Sequence, residues 1–205
     1  MSQKKTLLKY TKYVMWGTVA LIPPAAFFYL LEFYTHNPFA EVRPWAQLFN
    51  IVLFELLAGI FLCITERLRT AYRIEGTAAL VFGLANAYVV RFRTNPLVPW
   101  DILSWRTAVS VSGNYDFTPD TRMIVVTILF LALIIGLQPV KFKIGRPGFF
   151  KRCLPGVVLG AVLVMFAGTL QQENFQNEHR LYNKLFTPVF MTQVDGIPVT
   201  FVMNL

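Results

Sequence analysis

Apolar residues in this chain come in long runs rather than in a strict two-residue alternation or a narrow helical stripe. A helix that is hydrophobic all round is either buried or surrounded by lipid. Five such runs are legible, at residues 13–31, 46–65, 76–90, 123–137 and 154–170. A membrane-crossing helix needs about 20 residues, within a range of about 17–25. The third and fourth runs are short, so flanking residues must complete them. The pattern predicts an all-α, polytopic membrane protein with five transmembrane helices in residues 1–170 and a tail over 171–205.

Composition points the same way. The chain has 205 residues, 55% of them hydrophobic and only 15% charged, with a mean hydropathy of +0.51. Soluble domains are about 45–50% apolar and about 25% charged. The net charge of +8 does not indicate nucleic acid, because the basic residues lie between apolar runs and form no continuous patch. Anionic lipid is the natural counter-charge. Cys63 and Cys153 each sit beside arginine at the expected inner end of a run. They read as reduced apolar fillers. His36 and His179 are isolated, and no spacing suits a metal cluster.

Charge sets the orientation. With the N-terminus inside, the inner segments hold Lys4, Lys5, Lys9, Lys12, Arg67, Arg69, Arg73, Lys141, Lys143, Arg146, Lys151 and Arg152. The outer segments hold Arg43, Arg91, Arg93, Arg106, Arg122, Arg180 and Lys184. Five spans then place the C-terminus outside. The first run is read as an uncleaved anchor, since it is too long for a signal peptide and no clean small-x-small site follows. Pro23 and Pro24 predict a kink within it.

Several residues inside these runs are candidates for more than packing. Glu55 is a carboxylate near the middle of the second run. It is either a proton or cation relay or, the preferred reading, a neutral group hydrogen-bonded within the bundle. Asn50 and Asn86 are its candidate partners. Glu66 and Glu75 flank Arg67, Arg69 and Arg73, which predicts interfacial ion pairs. Gly156 and Gly160 form a small-xxx-small pair that lets a second helix approach closely.

The outer loop over 91–122 carries the densest chemistry. Pro96 and Pro99 force an extended entry. Asp101 is expected to cap a short interfacial helix reaching about Val111, with Trp100, Ile102, Leu103 and Trp105 as its apolar surface. Asn86 and Arg93 are seven residues apart and share a helix face if the third span continues. They read as a lipid head-group site with Arg91, Trp100 and Asp101, because guanidinium groups match phosphate oxygens. Alternatively, Arg91 or Arg93 pairs with Asp101 and staples the loop down. The residues alone favour the staple, and the two readings can coexist. The tail begins polar at Gln171 and is broken by Pro188, Gly196 and Pro198, so an outer interfacial segment is expected rather than a sixth span.

The stretch from Asn86 through Arg91-Phe92-Arg93 to Pro96-Leu97-Val98-Pro99-Trp100-Asp101-Ile102 resembles the signature of the lipoteichoic acid synthase family. These are sulfatase-like phosphoglycerol transferases of the bacterial plasma membrane. Thr94 stands where the family commonly has a small residue, and Asn95 where it commonly has an acidic one. The five spans and their orientation are similar too, so the resemblance covers essentially the whole chain. It implies cell-wall biogenesis, phosphatidylglycerol as a lipid partner, and an extracellular catalytic domain using a threonine nucleophile and manganese or magnesium. These 205 residues lack the length for that domain, and no catalytic residue or metal ligand carries over. The chain is therefore expected to be a truncated product or a stand-alone membrane module that anchors such a domain and presents the lipid head group. Two rival readings are a small transporter using Glu55 and a non-catalytic scaffold that binds a cell-envelope enzyme through the Gly156/Gly160 face.

Overall fold

The computed structural model describes residues 20–104, 106, 110, 113, 115–140, 142–143, 149–183 and 187–205, without the side chains of 149–152. The start of the first apolar run, Trp105 and most of the expected helix beyond Ser104 lie outside them. The described residues are helical, with no strand among them. In chain order the helices are α1 (Ile22–Glu32), α2 (Pro38–Glu41), α3 (Pro44–Thr65), α4 (Leu68–Arg93), α5 (Pro99–Leu103), α6 (Thr121–Gly136), α7 (Phe149–Leu170), α8 (Glu173–Glu178), α9 (Pro188–Asp195) and α10 (Ile197–Met203).

Helix starts follow the local chemistry. Pro44 opens α3, Pro99 opens α5 and Pro188 opens α9, each in a first turn where no amide hydrogen is needed. Asp120 caps α6 by accepting from the Met123 amide at 2.8 Å. Pro23 and Pro24 occupy the first turn of α1, after a break at Leu21. Ala20 before the break is helical too, so the chain is interrupted beside the Pro pair, where a kink was expected.

The helices form a bundle centred on α3 and α4, which pack against each other and against α1. Helix α6 lies on α1 and α4, and α7 lies on α3. Residues at one end of the bundle meet around the α3–α4 turn. There the Leu68 amide donates to Phe142, the Arg69 guanidinium donates to Val140, and Arg67 pairs with Lys143 in a single antiparallel bridge. At the other end Arg122 donates to the Thr35 carbonyl at 2.9 Å and the Arg43 amide donates to Val194 at 2.9 Å. Among the described residues, the segments 67–69 and 140–143 thus meet at one end of the bundle, and Thr35, Arg43, Arg122 and Val194 at the other.

Two stretches, Pro44–Thr65 and Cys153–Leu170, are long and apolar enough to cross a membrane. Helix α6 buries Met123, Val126 and Phe130 and leaves Ile124, Ile128, Leu129 and Ile135 exposed. Helix α7 exposes Leu154, Val157, Val158, Val164 and Met165. Close packing occurs mainly on α4. A Cβ at Gly76 would lie 2.7 Å from Phe27, and one at Gly83 would lie 2.7 Å from Tyr34. By contrast Gly156 faces Cys63 at 3.3 Å, and Gly160 has open space. The pair expected to make the closest helix approach therefore does so only in part.

The segment 171–205 folds back onto the bundle. Helix α10 packs against α3 and α7, and Ile197 and Val199 are fully buried.

Candidate functional site

The motif stretch folds as a clamp around the last turns of α4. Arg93 ends that helix, and its two terminal nitrogens donate to Asp101 Oδ1 and Oδ2 at 2.8 and 2.6 Å. A bidentate guanidinium–carboxylate pair is the strongest geometry available to these groups. These hydrogen bonds hold the Asp101 carboxyl below the usual carboxylate range. Asp101 Oδ2 also accepts from the Val98 amide at 3.0 Å. Asp101 therefore lies inside the first turn of α5 and reaches back, instead of preceding a helix that starts at Ile102. About two helical turns before Arg93, buried Asn86 accepts from the Leu97 amide through Oδ1 at 2.8 Å. The Pro96–Pro99 segment is thus tied to α4 at both ends.

Arg91 takes a different route. It donates to the Thr118 carbonyl at 2.7 Å and stands 3.6 Å from Asp116. An aromatic group that the sequence reading missed holds the same side. Phe92 stacks on Tyr115 at 4.6 Å and packs edge-on to Phe117, while the Tyr88 hydroxyl donates to the Phe117 carbonyl. The signal was available, since Tyr88 and Phe92 are four apart on α4 and meet two aromatics at the loop's far end.

Thr94 closes α4 in the left-handed conformation, with φ +55°. That position favours glycine, because a Cβ there meets the preceding carbonyl. This gives a physical reason for a small residue at the position. Trp100, Ile102 and Leu103 are exposed, Leu103 by 73%, and present an apolar surface on α5. Five expected site residues therefore fall into two groups. Asn86, Arg93 and Asp101 form one hydrogen-bonded unit with Trp100 beside it, while Arg91 belongs to the Asp116–Thr118 corner. The staple reading of Arg93 is the one the geometry carries. No family model, curated protein or solved structure matches this chain.

A second polar centre, where α9 and α10 meet the bundle, was not anticipated. Glu32 and His36 form a buried pair one turn apart, with His36 Nε2 3.1 Å from Glu32 Oε2. Glu32 Oε1 accepts from the Ile197 amide at 2.7 Å. Asn50 accepts from the Val199 amide and donates to the carbonyls of Ala46 and Asp195. These contacts satisfy the orphan amides at the start of α10. Asp195 accepts from the Tyr182 amide at 2.6 Å, and burial pushes its carboxyl up to about 7. The i, i+4 spacing of Glu32 and His36 was a visible signal; the partner segment 165 residues away was not.

Asn50 bonds to the tail and Asn86 to Leu97, so neither is a partner of Glu55. Glu55 Oε1 is buried without a hydrogen bond. Glu75 makes no interfacial ion pair. Its residue is 2% exposed, and neither carboxylate oxygen has a hydrogen-bond partner. Among the described residues no group of three or more His, Cys, Asp or Glu is placed to hold a metal ion.

Proposed function

We propose that this chain is the multi-pass plasma-membrane module of a lipoteichoic acid synthase-like phosphoglycerol transferase. In this reading α1, α3, α4, α6 and α7 are five spans with the N-terminus inside and the C-terminus outside. The module anchors an extracellular catalytic domain and presents anionic phosphatidylglycerol at the outer leaflet.

The observation that carries the reading is the clamp. The residues that resemble the family signature are bound into one rigid corner at a single end of the bundle. That corner sets Arg93 beside the exposed Trp100, Ile102 and Leu103, the residue types suited to an interface between head groups and hydrocarbon, with Arg91 held separately against Asp116 and Thr118. The side chain of Arg93 remains 45% exposed and that of Arg91 37%. A phosphate can approach both, but it must compete with Asp101 for the planar face of Arg93.

This competition supplies the test. Phosphatidylglycerol binding is measured on purified protein in nanodiscs of otherwise neutral lipid. Charge-assisted hydrogen bonds are worth about 1.5–3 kcal/mol. Arg93→Ala should therefore weaken binding by about tenfold or more, while Asp101→Asn, which releases the guanidinium, should strengthen it. Unchanged binding in both variants refutes head-group presentation by this corner. A reporter fused after Leu205 should respond as an extracellular one; an intracellular response removes the topology on which the reading stands.

A further inference from the structure

The bundle contains a cavity of about 540 Å³ that the clamp does not touch. Its walls come from α3, α4, α7 and α10, with Leu31 of α1 at its base. Helices α4 and α7 both pack on α3 but make few contacts with each other, and the cavity occupies the gap between them. Along α3 it runs from Leu53 to Phe61, about 12 Å at the rise of an α-helix. Phe201, Val202 and Leu205 of the C-terminal segment close the end nearer the polar centre. Exposed Val164 and Leu205 stand at the rim, so the opening lies on the flank that α7 presents outward.

The lining is aliphatic and aromatic apart from Glu75. That carboxyl is 2% exposed, and neither oxygen has a hydrogen-bond partner. An unpaired polar group in apolar surroundings is costly until something hydrogen-bonds to it. The size falls within the range of small-molecule sites, roughly 300–1,000 Å³. A narrow apolar slot open at its side, with one hydrogen-bonding group in its wall, has the chemistry of a site for a single-chain amphiphile.

We infer that this cavity binds one hydrocarbon chain ending in an uncharged hydroxyl head, with Glu75 hydrogen-bonded to the head and the chain lying between α4 and α7. An anionic head is disfavoured because the one polar group of the lining is the Glu75 carboxyl and no cationic side chain lines the slot. An ammonium head would bury an ion pair, whose desolvation offsets most of its attraction. A glycerol or alcohol hydroxyl both donates and accepts, so it satisfies the carboxyl at no cost in charge. The site does not depend on the outer corner, and either can fail without the other.

The test uses the full chain in nanodiscs and a monoacylglycerol carrying a photoreactive diazirine in its acyl chain. Labelled residues are mapped by mass spectrometry. Labelling is expected at Phe82, Val164, Ala167 and Phe201, with competition from unlabelled mono-oleoylglycerol. Glu75→Leu should reduce labelling at these positions at least fivefold. Ala167→Trp, which fills the slot and leaves Glu75 intact, should do the same, and it carries the test if Glu75→Leu does not fold. Labelling spread equally over the outward face of α6, at Ile128 and Leu129, overturns the site. Undiminished labelling in Ala167→Trp also overturns it. Stronger competition by lysophosphatidylglycerol or oleylamine than by mono-oleoylglycerol overturns the assigned head group.

Discussion

Gly196 joins α9 to α10 with φ +81° and ψ 154°, a region that essentially only glycine occupies. Replacing it with alanine does two things. The backbone is strained, at about 1–3 kcal/mol for a residue held in such a region. The new methyl also lands 2.4 Å from Asn50 Nδ2 and 3.1 Å from Glu32 Oε1. Asn50 cannot simply turn aside. Its amide holds the carbonyls of Ala46 and Asp195 and the amide of Val199, all in a fully buried setting. Displacing it leaves buried groups unpaired, at about 1–3 kcal/mol. Together these give a destabilisation of about 2–6 kcal/mol. For a chain of this length, 1 kcal/mol moves the melting temperature by about 2–4 °C. Gly196→Ala should thus melt roughly 4–24 °C lower in detergent, and protease should cut within 187–205 before it cuts the bundle. A shift under about 2 °C with unchanged proteolysis would refute the claim that this turn locks the C-terminal segment into the core.

Other consequences can be checked separately. Asp195 has its folded pKa raised to about 7, so the stability it contributes is complete below the ordinary carboxylate range and is lost as pH rises through about 7. Thermal melts should therefore fall between pH 5 and 8 in the wild type and flatten in Asp195→Asn. Equal slopes in the two proteins would refute the assignment of this dependence to Asp195. Thr94→Gly should stabilise the protein by about 1 kcal/mol, because it removes a β-branched residue from a left-handed helix end; no gain in a denaturation midpoint would contradict that geometry. Asn86→Ala leaves the Leu97 amide without its partner and should cost about 1–3 kcal/mol, read as earlier proteolysis between 94 and 120.

The helices were legible because lipid-compatible runs announce themselves by composition. Their ends were less so, since α4 runs eight residues further toward Leu68 than its apolar run suggests. That extension explains the misreading of Glu75. Next to Arg69 and Arg73 in sequence it resembles a surface carboxylate. On the helix it belongs to the stripe Leu68, Ala71, Tyr72, Glu75, Gly76, Ala79 and Gly83, all buried at spacings of three and four. The periodicity was present, but the arginines flanking the stripe masked it. The docking of α10 was not legible in principle, because Glu32 and Asn50 gain their partners from residues about 150 positions later. Local pattern carries no information about such pairs.

The motif residues illustrate how one constellation can serve structure and still leave room for binding. Arg93 donates both terminal nitrogens to Asp101, so its strongest donors are already used within the chain. Were the pair deeply buried, breaking it would leave an uncompensated charge and cost about 3–5 kcal/mol, which would forbid exchange with a ligand. It is not: the side chains are 45% and 21% exposed, and exposed pairs are worth about 0–1 kcal/mol after solvent screening. A phosphate that brings its own charge can therefore displace Asp101 at small cost, while Asn86 keeps the loop attached through Leu97. The buried amide fixes the corner and the exposed ion pair can open. On the proposed head-group reading, that division predicts that the loss of Arg93 and the loss of Asp101 act in opposite directions on lipid binding, an outcome that a purely structural staple would not produce.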